Sequence, residues 1–167
     1  MPDEVDAEIR SFGSSTVLYC RAFAPAYLLV WHGVTTLEGA EWGLGLIMDD
    51  ILAEHRAGRR AAMLSDAIGV QGTTADVRKF FAAKNDEIPV DALFANLVIL
   101  DSAVVRGIMK AISWITPSLS SKPVGTAHDA VRITVEAMRA EGIEPPDGFR
   151  AAAIRQLRTR TKNAAPG

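Results

Sequence analysis

The stretch that most constrains the fold is Leu93 to Leu100 (LFANLVIL), a run of apolar and aromatic residues that begins soon after Pro89 and stops at Asp101-Ser102. A strand this apolar on both of its faces must be covered on both sides, which is the signature of a parallel or mixed sheet flanked by helices. The rest of the chain fits that demand. Ser15 to Arg21 (STVLYCR) alternates strand-forming residues, and Ala26 to His32 (AYLLVWH) follows the breaker Pro25, which suits a turn or an edge because it cannot donate to a ladder. Their close spacing predicts an antiparallel pair.

Thr36 to Ala57 carries Leu37, Ala40, Leu44, Ile47, Met48, Ile51 and Leu52 at intervals of three or four, predicting one long amphipathic helix capped by Thr35 or Thr36. Gly43 and Gly45 weaken it by roughly 1 kcal/mol each relative to Ala. Close approach to the sheet is the expected reason for their presence. Ala61 to Asp66 (AAMLSD) reads as a third strand, and Gly69 and Gly72 as the loop behind it. A helix capped by Thr73 or Thr74 runs to about Lys84, with Val77, Phe80 and Phe81 inward. After the Leu93–Leu100 strand, Asp101 or Ser102 caps a further helix that ends at Pro117. A brief strand at Pro123 and Val124 and a helix from about Ala127 to Ala140 complete the pattern. The predicted class is α/β: one domain with a mixed sheet of about five strands in the order β-β-α-β-α-β-α-β-α. Residues 1–14 read as a polar leader, 15–141 as the domain, and 142–167 as a Pro-containing linker with a basic helical tail.

The 167 residues are 49% hydrophobic, enough for one filled core without disulfides or a metal. The lone Cys20 has no partner in the chain and suits a reducing, cytoplasmic setting. The acidic start lacks the basic-then-apolar order of a signal peptide, and no apolar run reaches the ~20 residues that cross a bilayer. With 18 Lys+Arg against 20 Asp+Glu, overall charge gives no argument for nucleic acid. The acid-free basic tail from Phe149 onward is a weak membrane signal without a lipid anchor.

The order of elements, together with VLYCRAFAPAYLLVWHGVTTLEGAEW, AAMLSDAIGVQGTT and KPVGTAHDAVRITVEAM, resembles the SpoIIAA-like branch of the STAS fold over about Ser15 to Ala140. The core topology is also similar to that of CRAL-TRIO lipid-transfer domains. The first resemblance implies a non-catalytic interaction module of bacterial regulation, acting on a protein partner or as a homodimer. The second implies a carrier or sensor of a small apolar ligand. Anti-anti-sigma members of the STAS family carry an Asp-Ser-x-Gly motif whose Ser accepts phosphate. The matching stretch here is DAIGVQGTTADVRK, which leaves only Thr73 and Thr74 as candidate phospho-acceptors and, as the simpler reading, as helix caps.

Enzyme signatures are missing: the chain has no P-loop, no GxGxxG after a strand, no HExxH and no GxSxG. No cofactor is implied. His32, His55 and His128 fall on separate elements, and Cys20 with His32 is a thiol–imidazole combination only if the first two strands bring them together. Asp66 and Asp101 both end strands on the edge where α/β folds collect ligands, so they are candidates for an ion or for acid and base roles; the competing reading makes Asp66 a turn organiser and Asp101 a cap. Trp42 and Trp114 sit off the best apolar stripe of their helices and are candidate interface residues.

Overall fold

The structure is a computed structural model that describes residues 6–100 and 121–158. Six strands form one mixed sheet in chain order, β1 (Ala7–Phe12), β2 (Ser15–Phe23), β3 (Ala26–Thr35), β4 (Ala61–Thr73), β5 (Leu93–Ile99) and β6 (Lys122–Val124). The first three pair antiparallel, and β3 to β6 run parallel. Helix α1 (Leu37–Arg56) connects β3 to β4, and α2 (Ala75–Asn85) connects β4 to β5. Helices α3 (Ala127–Ala140) and α4 (Phe149–Arg158) follow β6. The class is therefore α/β with a mixed sheet, as the patterning predicts, with six strands in place of about five. The helix expected after Asp101 lies outside the described residues.

Alternation along the strands sends successive side chains to opposite faces, and each face has its own helices. Val17, Tyr19, Tyr27, Leu29 and Trp31 meet Leu44, Ile47, Met48 and Ile51 of α1. Leu18, Cys20, Leu28, Val30, Leu64, Leu97 and Ile99 meet Val131, Val135 and Met138 of α3 and Phe149 and Leu157 of α4. Edge-to-face aromatic pairs sit in both layers, Trp31 with Phe81 at 5.6 Å and Phe23 with Phe149 at 5.3 Å between ring centroids.

Three expectations are corrected. Residues 7–12, read as part of a polar leader, form edge strand β1, paired with β2 from Ala7 with Cys20 to Phe12 with Ser15. Gly13-Ser14 is a two-residue hairpin turn in which Gly13 adopts φ +60°, a conformation that glycine reaches without steric cost. The glycines behind Asp66 do not start a loop: β4 continues through Gly69 and Gly72 to Thr73, lying beside the extended end of β3 with two register shifts. The part of the predicted tail that is described packs on the domain, because Phe149, Ala153 and Leu157 of α4 are buried in the α3-side core. The basic residues beyond 158 lie outside the described residues.

Local signals account for the helix starts. Thr36 Oγ1 accepts from the Gly39 backbone N–H at 3.2 Å and caps α1, and Thr126 Oγ1 accepts from the Asp129 N–H at 3.1 Å and caps α3. A Cβ on Gly43 would stand 2.8 Å from Val17 Cγ1 and 3.2 Å from the Trp31 ring, so α1 approaches the sheet there as expected. Gly45 faces open space, and close approach does not explain it.

Two tyrosines fix α1 against the antiparallel strands. The Tyr19 hydroxyl donates to Asp50, which also faces Arg21 at 3.6 Å; the Tyr27 hydroxyl donates to Glu54 at 3.1 Å, which pairs with Arg59 at 2.6 Å. Burial, reinforced by a carboxylate that accepts the hydroxyl proton, pushes both phenols well above the ordinary tyrosine range.

Candidate functional site

Asp66, predicted to end its strand, instead lies within β4, which runs on beside β3 to Thr73; of its two neighbours only β5 ends at its level. Asp66 is 6% exposed and stands opposite Val30 on one side and Ile99 on the other. Its Oδ1 accepts the Ile68 N–H at 3.0 Å, at the register shift where β4 carries one residue more than β3 between the Val30–Asp66 and His32–Gly69 pairs. Asp66 also lines a cavity of about 230 Å³ with His32, Ile68, Gly69, Gly125, Thr126, Ala127 and Leu157. His32 reaches it because its β3 position pairs with Gly69, where a Cβ would lie 2.1 Å from the imidazole Nδ1. Thr126, the α3 cap, closes the other wall and donates to Asp129 Oδ2 at 3.0 Å. The cavity thus joins a carboxylate, an imidazole and a hydroxyl, in less room than the roughly 300–1,000 Å³ that holds a drug-sized ligand. The predicted partner Asp101 lies outside the described residues.

A second cavity, of about 300 Å³, is lined by Pro89, Val90, Leu93, Phe94, Ala95, Asn96, Leu97, Lys122, Ile133 and Ala137. Most of its lining residues are apolar, with Asn96 and Lys122 as the polar side chains, but its exposed surface is as polar as it is apolar. Val90 beside it is 79% exposed.

The candidate phospho-acceptors part company. Thr73 ends β4 opposite Thr35, and its hydroxyl is buried without a hydrogen-bond partner. Thr74 is exposed at the N-cap of α2, where its side chain makes no capping hydrogen bond. Its hydroxyl instead meets Asp76, and that hydrogen bond holds the Asp76 carboxyl below its usual range. Of the two, Thr74 is the exposed residue, beside an existing negative charge, whereas the Thr73 hydroxyl is buried.

Cys20 and His32 are not neighbours. Cys20 pairs with Leu28 while His32 pairs with Thr16, so they stand four β2 positions apart, about 13 Å along the strand. Cys20 is fully buried, and burial raises its thiol pKa, the opposite of what a nucleophile needs. His55 closes α1 at 3.9 Å from Asp91, and His128 is exposed on α3. Among the described residues no group of three His, Cys, Asp or Glu side chains is placed to hold a metal ion, and no helix is long and apolar enough to cross a membrane.

Trp42 is half-buried on α1. Its ring packs against Phe12 of β1 at 5.9 Å, and the Arg10 guanidinium lies over it at 5.2 Å. The tryptophan therefore holds the edge strand to the helix layer. Trp114 lies outside the described residues. Sequence reasoning missed two groupings: His32 with Asp66 and Thr126, visible only through strand register, and the β1 edge. There Ile9 is 55% exposed and Glu8, Arg10 and Ser11 also face solvent. Its signal was present in the Gly13-Ser14 turn between Phe12 and Ser15.

No protein-family model matches the chain, and no curated protein matches its sequence.

Proposed function

We propose that the chain is a non-catalytic, STAS-like interaction module of bacterial regulation, and that β1 is its docking edge. The observation that carries this reading is the edge strand itself: β1 pairs on one side with β2, ends the sheet, and exposes Ile9 among alternating charges. A sheet edge of this kind recruits another chain through main-chain hydrogen bonds. Ser11→Pro tests it, because in the β1 ladder the Ser11 N–H points away from β2 and its loss leaves the hairpin intact. The tagged full chain retains a specific protein, its own untagged copy included, and the variant loses it; identical sets retained by both overturn the reading.

A second reading, a carrier of a small apolar ligand, draws on the cavity of about 300 Å³ walled by Leu93, Phe94, Leu97 and Ile133. Native mass spectrometry of the purified chain separates the two. A bound small molecule lost in Phe94→Ala, with no protein retained, favours the carrier.

A further inference from the structure

We infer that the occupant of the β1 edge is a second copy of this chain, paired antiparallel about a two-fold axis at Ile9, so that two six-stranded sheets join into one. The inference rests on the reading of β1 as the docking edge and adds the partner and the register.

The phase of the ladder determines which groups are available. The Arg21 N–H donates to the Asp6 carbonyl at 3.1 Å, which makes residues 6 and 21 a hydrogen-bonded pair. Such pairs alternate along an antiparallel ladder, so Glu8 with Tyr19, Arg10 with Val17 and Phe12 with Ser15 also exchange backbone hydrogen bonds. The N–H and C=O groups of Ala7, Ile9 and Ser11 consequently point away from β2. With Ile9 on the axis, Ile9 faces Ile9 of the other copy, and Ala7 and Ser11 face each other twice. Every one of those outward groups then lies in a hydrogen-bonded position, giving about six new hydrogen bonds.

The same register matches the charges. Glu8 of each copy falls opposite Arg10 of the other, with both side chains on the α1 side of the sheet, where Arg10 is already held at the edge over Trp42. Opposite charges placed directly across a ladder are favourable and like charges unfavourable. Moving the axis to residue 8 keeps the backbone phase but sets Glu8 against Glu8, although Arg10 then meets Asp6, and moving it to residue 10 sets Arg10 against Arg10. Only with Ile9 on the axis does Glu-Ile-Arg meet itself without a like-charge pair. On the α3 side, the two Ile9 side chains cover each other, removing the exposed apolar group from water.

Sedimentation velocity on the full chain, with light scattering for mass, tests the inference. The wild type has twice the 17.9 kDa chain mass, and Ile9→Lys, Ser11→Pro, Glu8→Arg and Arg10→Glu each halve it while retaining the far-UV circular dichroism of the wild type. Mixing Glu8→Arg with Arg10→Glu sets an all-basic edge against an all-acidic one and restores the doubled mass as a one-to-one complex, as does combining both changes in one chain. A wild-type monomer overturns self-pairing; β1 then remains the docking edge only if Ser11→Pro loses a different protein in the capture experiment. A dimer indifferent to all four variants places that interface elsewhere and overturns self-pairing at β1; the capture experiment with Ser11→Pro then decides the docking-edge reading separately.

Discussion

Exchanging Gly43 and Gly45 for alanine, one at a time, gives opposite outcomes on a single helix. Both substitutions remove a flexible residue from the interior of α1, and each gains about 1 kcal/mol of helix propensity. At Gly45 nothing lies within 4 Å of the added methyl, so Gly45→Ala keeps that gain. At Gly43 the methyl meets Val17 at 2.8 Å, Trp31 at 3.2 Å and Leu29 at 3.4 Å, all buried and packed on neighbouring strands. Forcing α1 outward or turning those side chains off their rotamers costs about 1–3 kcal/mol, which cancels or exceeds the propensity gain. Because propensity is common to both variants, their difference of about 1–3 kcal/mol is the packing cost alone. Urea denaturation at matched pH measures it, and for a domain of this size each kcal/mol moves the thermal midpoint by roughly 2–4 °C. Equal stability of the two variants, or a more stable Gly43→Ala, refutes the close approach of α1 to β2 and β3.

Two further outcomes follow from buried groups. Tyr19 and Tyr27 hold their protons in the folded chain beyond the pH at which they release them when unfolded, so their contribution is complete below about pH 10 and is lost as pH rises past it. The stability lost above that point approaches about 1.4 kcal/mol per pH unit for each tyrosine, read as a falling urea midpoint. Tyr19→Phe removes one share of the slope, and an unchanged slope refutes the assignment. Cys20, buried and with its thiol pKa raised, reacts with a thiol reagent only through unfolding: labelling in native buffer is at least about a thousandfold slower than in denaturant, and rapid native labelling contradicts its place in the core.

The elements whose patterns are dense were legible in the sequence. Leu93–Leu100 announced a strand, buried from Leu97 onward, and the stripe from Ala40 to Ile51 announced α1, because burial imposes a period that only one backbone geometry satisfies. Edge strand β1 was hidden for the converse reason. One of its neighbours is solvent, so Glu8, Arg10 and Ser11 obey no apolar alternation, and only the Gly13-Ser14 turn marked it. The tail of β4 was obscured by Gly69 and Gly72, which read as loop residues; one of them is small because the His32 ring occupies the space beside it. Asp66 was expected to end its strand, where the apolar run stops, but β4 continues beyond it to Thr73. Its association with His32 and Thr126 depends on which strands are neighbours and in what register, a non-local fact that no window of sequence contains. The role of Trp42 was likewise non-local, since what lies beside it, Phe12 and Arg10, belongs to a strand that the sequence concealed.

The strand order has a consequence for synthesis. Each strand of the sheet lies beside the one made before it, from β1 through to β6. A chain emerging from the ribosome amino end first therefore never has to open an existing pair to admit a later strand; every new strand meets an edge that is already present. The growing sheet advances in one direction only, and the edge it leaves behind is the one that was finished first.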